Sequence, residues 1–355
     1  MQPIWALGLM SGTSLDGVDA ALIKTDGENV LEFGAALTLP LPRDLIGALQ
    51  ELMMGDEADW LIIERRLTLL HAEAVKKVLA KANMSAGDVG ILGFHGQTIT
   101  HRPRDGITWQ MGNPALLAEE TGISVVADFR RADVAAGGEG APLVPLYHAA
   151  LAQTLETPIA ILNIGGIANI TWIGSDGSLI AFDTGPGNAM LNDWMRKRTG
   201  MLFDRDGKIA EAGKLANALI EEYLQHPYFE QLPPKSLDRN EFSLEIIKHL
   251  STEDGAATLT RLTAEAVYKS LVHLPERPRR WLITGGGRHN PTMMAALRSL
   301  LEHVTSVENV GWRGDFLEAE AFAFLAVRSM RRMPLTLPST TGANRAVTGG
   351  AFYSH

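Results

Sequence analysis

The chain has 355 residues, 46% of them apolar and 21% charged, enough to bury a sizeable core in one or two domains and too apolar for a disordered chain. The net charge of −9 and the short, aromatic-poor arginine clusters (Arg130-Arg131, Arg277 to Arg280, Arg328 to Arg332) exclude nucleic acid as an expected partner. The absence of cysteine removes disulfides, thiolate nucleophiles and cysteine zinc sites. No apolar run approaches the roughly 20 residues that span a bilayer, and no basic segment leads into an apolar one at the start. The expectation is a cytoplasmic protein that does not contact membranes.

Taken in order, Ile4 to Met10 and Val18 to Lys24 read as strands. They are joined by Ser11-Gly12-Thr13-Ser14-Leu15-Asp16-Gly17, a turn with hydroxyls and glycines that suit phosphate oxygens and an acid, Asp16, that with Asp19 suits a metal ion. The same residue types are also the ordinary furniture of turns, so this hairpin alone decides nothing. Leu45 to Met54 and Asp59 to Ala82 carry helical spacing. Val89 to Phe94 reads as a buried strand ending at His95-Gly96-Gln97-Thr98, whose polar run suggests a loop that lines a ligand. Ser124 to Ala127 is a further strand. It runs into Asp128-Phe129-Arg130-Arg131 and the glycine run Gly137 to Gly140, a hinge or an anion-contacting loop.

The stretch from Leu162 to Asn188 is the centre of the reading. Leu162-Asn163-Ile164-Gly165-Gly166-Ile167-Ala168-Asn169 is strand, tight turn, strand, and converging backbone N–H groups at Gly165-Gly166 can cradle an anion. Phe182-Asp183-Thr184-Gly185-Pro186-Gly187-Asn188 puts one acid, Asp183, at an expected strand end beside a glycine turn. Ala189 to Thr199 reads as helix. The polar stretch from Phe203 to Leu244, broken by Pro227, Pro233 and Pro234, reads as surface helix and loop. Ala256 to Val272 is an amphipathic helix. Arg280 to Ile283 is a strand, followed by Thr284-Gly285-Gly286-Gly287-Arg288-His289-Asn290 and a helix over Thr292 to Glu302, a geometry that contacts nucleotides. In the last long helix, Asp315 to Arg331, Glu318 falls inside the apolar sector and is expected to face a polar ligand, while Glu320 falls at its edge and is expected in solvent.

A P-loop, a complete dinucleotide fingerprint, a Gly-x-Ser-x-Gly elbow and a His-Glu-x-x-His zinc motif are all absent from the sequence. The theme of strand, glycine turn, strand and helices occurs once in each half. The composition shift near Asp128 to Gly140 places the expected division between an N-terminal domain, 1–128, and a C-terminal domain, 129–355, whose last segment can pack back on the first.

These residues together resemble the anhydro-N-acetylmuramic acid kinases. The resemblance rests on Met10 to Asp19, Phe94 to Thr98, Asp128 to Arg131, Gly140 to Pro145, Leu162 to Asn169, Phe182 to Asn188, Gly285 to Gly287 with Asn290, and Glu318-Ala319, in family order along the whole chain. It implies an α/β, two-domain actin/hexokinase/Hsp70-like (ribonuclease H-like) fold with an ATP cleft between the domains. By the same resemblance, Gly12, Thr13, Ser14, Leu15, Asp16, Gly17, Val18 and Asp19 hold ATP phosphates, Gly165 and Gly166 form a second phosphate turn, and Gly285, Gly286 and Gly287 with Asn290 pack near the adenosine. Asp183 falls on the family's catalytic base.

The implied reaction opens the 1,6-anhydro ring of anhydro-N-acetylmuramic acid with water and phosphorylates O6, giving N-acetylmuramic acid 6-phosphate and ADP in cell-wall recycling. Gln97, Thr98, Arg130, Asp183 and Glu318 are the candidate sugar contacts, with Arg130 or Arg131 suited to the lactyl carboxylate. Mg²⁺ is expected beside ATP. The first strand lacks the acid that many relatives of the wider fold use for it, which leaves Asp16 and Asp19 as ligands, directly or through water. A homodimer is implied. Two other readings compete: a non-catalytic nucleotide-binding protein on this fold, and a simple sugar kinase in which Asp183 deprotonates a free hydroxyl.

Overall fold

A computed structural model describes residues 2–55, 59–239 and 241–355. Two mixed sheets frame it, built by one rule. Short connections join antiparallel neighbours, and long helical connections return the chain parallel to the first strand.

In the first sheet β1 (Ile4–Ser11), β2 (Gly17–Thr25) and β3 (Val30–Pro40) form an antiparallel meander. After the helices Arg43–Met54 and Trp60–Ala82, β4 (Ile91–Arg102) lies parallel to β1, β5 (Ile107–Met111) folds back on β4, and β6 (Val125–Ala127) is parallel to β4. In the second sheet β7 (Ile159–Ile164), β8 (Ile167–Ile173) and β9 (Leu179–Pro186) repeat the meander. β10 (Arg280–Thr284) and β11 (Val304–Ser306) then add parallel strands beside β7. The final strand, β12 (Ala351–Tyr353), is the exception to that rule: it follows a long helical connection and pairs antiparallel with β6. The orders are β12-β6-β4-β1-β2-β3 and β11-β10-β7-β8-β9, so both sheets carry the expected ribonuclease H-like arrangement.

The backbone divides into two units. One holds the chain up to Gln153 together with Phe316–His355, and the other holds Thr154–Asp315. The sequence put the division at 128/129. Residues 129–153 belong to the first unit, where polar side chains tie them to its C-terminal segment. The buried Asp133 carboxylate accepts from the Gly140 N–H at 2.7 Å, from the Thr341 hydroxyl at 2.7 Å and from the Thr336 hydroxyl. The glycine run at 137–140 is therefore held in place.

In the first unit the helix Leu317–Met330 crosses β1 and β4 so closely that only glycine fits beneath it. A Cβ on Gly8 would sit 1.7 Å from the Ala319 carbonyl oxygen, and one on Gly93 would sit 2.0 Å from that of Phe322. The helix is buried continuously from Ala319 to Val327. On the sheet's other side Leu7, Leu9, Leu22, Leu92 and Phe94 pack with Leu67 and Val75 of the Trp60–Ala82 helix. The second unit buries Leu162, Ile170, Trp172, Phe182, Trp281 and Ile283 in one cluster, and Trp194, Tyr228, Phe229, Phe242 and Leu262 in another.

That second cluster corrects the expectation of a surface stretch at 203–244. Its prolines do break regular structure, but its aromatic side chains enter the core. Two strand ends move as well. β4 continues through His95, Gln97 and Thr98 to Arg102, and β9 continues past Asp183 to Pro186, because both polar stretches find ladder partners. The helix expected over Thr292 to Glu302 ends earlier, as Pro291–Arg298.

Candidate active site

In the second unit the β7–β8 turn is tied to the start of the following helix, Asn188–Thr199. Gly187 N–H donates to the Gly166 carbonyl at 3.0 Å, and Asn188 N–H donates to that of Gly165 at 2.8 Å. The Asn188 side chain donates to the Ile164 carbonyl at 3.0 Å. A Cβ on Gly187 would lie 2.5 Å from the Gly165 oxygen, so the backbones meet without side chains between them. A glycine turn against a helix N-terminus is a favourable place for phosphate.

The glycine run after β10 packs on the end of β7. Gly285 has φ +74°, and a Cβ there would lie 2.2 Å from Asn163 Oδ1; one on Gly287 would lie 2.4 Å from Ile164 Cγ2. Buried Arg288 fixes the run, donating to the Gly285 carbonyl at 2.9 Å while pairing with Glu308 at 2.9 Å and Asp315 at 2.6 Å. Asn290 is buried, and its Oδ1 caps the Pro291–Arg298 helix through Met293 N–H at 3.0 Å. The sequence singled it out for ATP. The structure gives it a capping bond.

Asp183 lies within β9 opposite Asn169, half-buried. Its N–H donates to the Lys235 carbonyl at 3.0 Å, its carbonyl accepts from the Tyr228 hydroxyl, and its Oδ2 accepts from Leu237 N–H at 2.8 Å. Burial, with the Asp183 charge adding to it, pushes the Tyr228 phenol up. Tyr228 and Lys235 escaped the sequence reading because their stretch looked superficial. Its aromatic content was the available signal.

In the first unit the turn between β1 and β2 closes through Leu15 N–H to the Gly12 carbonyl at 3.1 Å, with Leu15 at φ +56° and its side chain buried. Thr13, Ser14 and Asp16 are exposed, whereas Gly17 and Val18 are buried in β2. Ser14 Oγ donates to Asp16 at 2.9 Å, and the Thr38 hydroxyl donates to Asp19 at 2.6 Å. Among the described residues no group of three or more His, Asp or Glu gathers as a metal cage. Asp16 thus lies in the turn itself, and Asp19 lies on β2 opposite Met10 and Thr38.

β4 brings Gln97 beside that turn. Gln97 Nε2 donates to the Gly12 carbonyl at 3.2 Å, while its buried Oε1 has no hydrogen-bond partner among the described residues. The Thr98 hydroxyl accepts from Gln110 at 3.3 Å. Arg130 Nε donates to His95 Nε2 at 3.0 Å, and its Nη1 donates to the Gly140 carbonyl at 2.7 Å. His95 Nδ1 meets the Gly96 carbonyl at 2.7 Å, so that nitrogen carries the proton. Burial first, then the Arg130 charge, holds His95 well below the usual imidazole range, and it is neutral. Burial lowers Arg130 to about 10, opposed by Glu318 and Asp133, so it stays a cation. Arg131, by contrast, is exposed and lies 3.6 Å from Asp128.

The two glutamates of the last long helix reverse their expected burial. Glu318 is exposed, near enough to Arg130 to raise its pKa, whereas Glu320 is fully buried and accepts from Tyr147 at 2.6 Å. The apolar sector could not separate them because the helix is buried on nearly every side.

A sequence profile of the anhydro-N-acetylmuramic acid kinases matches residues 4–355. The chain belongs to that family. The anhydro-N-acetylmuramic acid kinase of Paramagnetospirillum magneticum is 56% identical over 349 residues, covering 97% of this chain and 98% of that one. The enzyme of the same name from Rhodospirillum rubrum is 50% identical over 359 residues, covering 99% and 94%. Among solved structures, the activator of the 2-hydroxyisocaproyl-CoA dehydratase from Clostridium difficile with bound ADPNP overlays 92% of this kinase-family chain and 96% of its own, at 13% identity and a TM-score of 0.46. So loose an overlay says nothing of the ligand here.

Proposed function

We propose that this chain is an anhydro-N-acetylmuramic acid kinase that opens the 1,6-anhydro ring and phosphorylates O6, with ATP as phosphoryl donor. The observation that carries the reading is Asp183. Its carboxylate is held by Leu237 N–H in the same unit as the Gly165-Gly166 turn and the Gly285 to Gly287 run.

In this reading Asp183 accepts a proton from a water whose oxygen bonds to C1 of the sugar. The C1–O6 bond breaks, O6 takes the γ-phosphoryl group, and ADP leaves; the proton on Asp183 passes to solvent. A general base of this kind contributes a factor of about 10²–10⁴. The backbone amides of Gly12 to Asp19 and of Gly165-Gly166 would orient the phosphates, since phosphoryl transfer depends mainly on positioning and charge neutralisation. Asp16 and Asp19 would hold Mg²⁺, which neutralises developing phosphate charge when bound. Arg130 would take the lactyl carboxylate, and Gln97, Thr98 and Glu318 would take sugar hydroxyl and amide groups. The buried Gln97 Oε1, without a partner among the described residues, supports this, because a buried acceptor left unmade is costly until a donor arrives. A homodimer acting in peptidoglycan recycling in the cytoplasm completes the reading, supported by the family resemblance.

The test uses purified protein with Mg-ATP and anhydro-N-acetylmuramic acid. Product carrying one phosphate and one added water, formed with ADP and lost in Asp183→Asn, is the expected result. ATP binding without turnover of that sugar would overturn it.

A further inference from the structure

β9 is an edge strand of its sheet, so its outward-facing backbone groups need partners from outside the ladder. At Asp183 a single irregular segment supplies them. The Tyr228 hydroxyl takes the Asp183 carbonyl, the Lys235 carbonyl takes its N–H at 3.0 Å, and Leu237 N–H takes Oδ2 at 2.8 Å. The N–H, the C=O and the carboxylate of one residue are thus all tied to residues 228–237.

Lys235 fastens that segment to itself. The residue is 7% exposed, and its Nζ donates to the Tyr228 carbonyl at 3.1 Å and the Phe229 carbonyl at 3.4 Å. The ammonium lies 4.7 Å from the centre of the Tyr228 ring and 3.4 Å from His273 Nε2, which is itself 3.1 Å from the Phe229 carbonyl. An ammonium taken out of water needs compensating partners, and here they are the carbonyls of the turn that carries the Tyr228 hydroxyl. The ring position therefore depends on Lys235, and the Asp183 backbone depends on the ring.

We propose that Tyr228 and Lys235 are positioning residues: segment 228–237 is a clamp that fixes the direction in which the Asp183 carboxylate points. The inference rests on the reading of Asp183 as the general base. Small displacements of a catalytic group are expensive, about a hundredfold in rate for roughly 1 Å. Neither side chain needs to touch the sugar or ATP to matter.

The test compares Tyr228→Phe, which removes only the hydroxyl, with Lys235→Met, which keeps the apolar stem, and Lys235→Arg, which restores donors to the carbonyls. In the full-length protein both Y228F and K235M should lower kcat about ten- to a hundredfold, with KM for ATP and sugar within about twofold and little change in Tm. K235R should recover part of the loss. Unchanged kcat in both Y228F and K235M, alongside an inactive Asp183→Asn, would overturn the clamp and leave the base assignment standing. Loss of kcat only in step with rising KM and falling Tm would make the segment merely structural and overturn the clamp too. An Asp183→Asn variant with wild-type turnover would remove the base assignment and the clamp with it.

Discussion

The two sheets share a strand order and differ at matching positions of their hairpins. One pair back from the first turn, Met10 faces Asp19 in one sheet and Asn163 faces Asn169 in the other. Across the second hairpin, Asp19 faces Thr38 and Asn169 faces Asp183. The first unit thus places its acid on the middle strand, answered by a hydroxyl at 2.6 Å. The second places its acid on the edge strand, answered by an irregular segment. The turns differ to match: the first is longer and hydroxyl-rich, the second a pair of glycines closed on a helix start. One frame accommodates two chemistries because the turn and one strand position change while the ladder does not.

Asp183→Asn tests the difference with the largest expected effect. Turnover should fall by about 10²–10⁴ while ATP binding persists, measured by ADP release and calorimetry. Next comes the frame itself. Gly93→Ala sets a methyl 2.0 Å from a backbone oxygen, and overpacking against a main chain that cannot swing away should cost about 3 kcal/mol or more in denaturant unfolding.

Within the first unit, Arg130→Ala should raise the sugar KM about ten- to a hundredfold, as hydrogen bonds to charged groups contribute ~1.5–3 kcal/mol. Arg131→Ala should change it less than about threefold, its exposed pair being worth ~0–1 kcal/mol. Equal effects would erase the distinction between the two arginines.

The smallest effect is a pH dependence in the second unit. Burial lowers the Lys235 ammonium from 10.5 to about 8. Between those values the unfolded chain binds more protons than the folded one, so this group makes stability rise as pH climbs from about 8 towards 10.5. Lys235→Met should flatten that rise in thermal unfolding followed across the alkaline range.

Much of the frame was legible in the sequence. The β-branched runs around Gly165-Gly166 and the run before Gly285 form strands where expected, because local spacing and turn chemistry act within a few residues. What stayed hidden depends on residues far apart in the chain. Glu320 is buried by Tyr147, 173 positions away, and Asp183 is clamped from a stretch 45 to 54 positions on. Gly185 and Pro186 read as a turn past a strand that ends at Asp183, yet both still pair with β8. The Arg130–His95 contact likewise joins a residue inside β4 to one just past β6, both in polar stretches that looked like loops.

The most direct measurement runs the reaction in heavy-oxygen water and follows the fresh product by mass spectrometry before exchange at C1. One heavy oxygen on C1, a phosphate on O6, and loss of both together in Asp183→Asn are the predicted result. Phosphorylated product with its anhydro ring intact, or ring opening that survives Asp183→Asn, would contradict Asp183 as the base that couples the two steps.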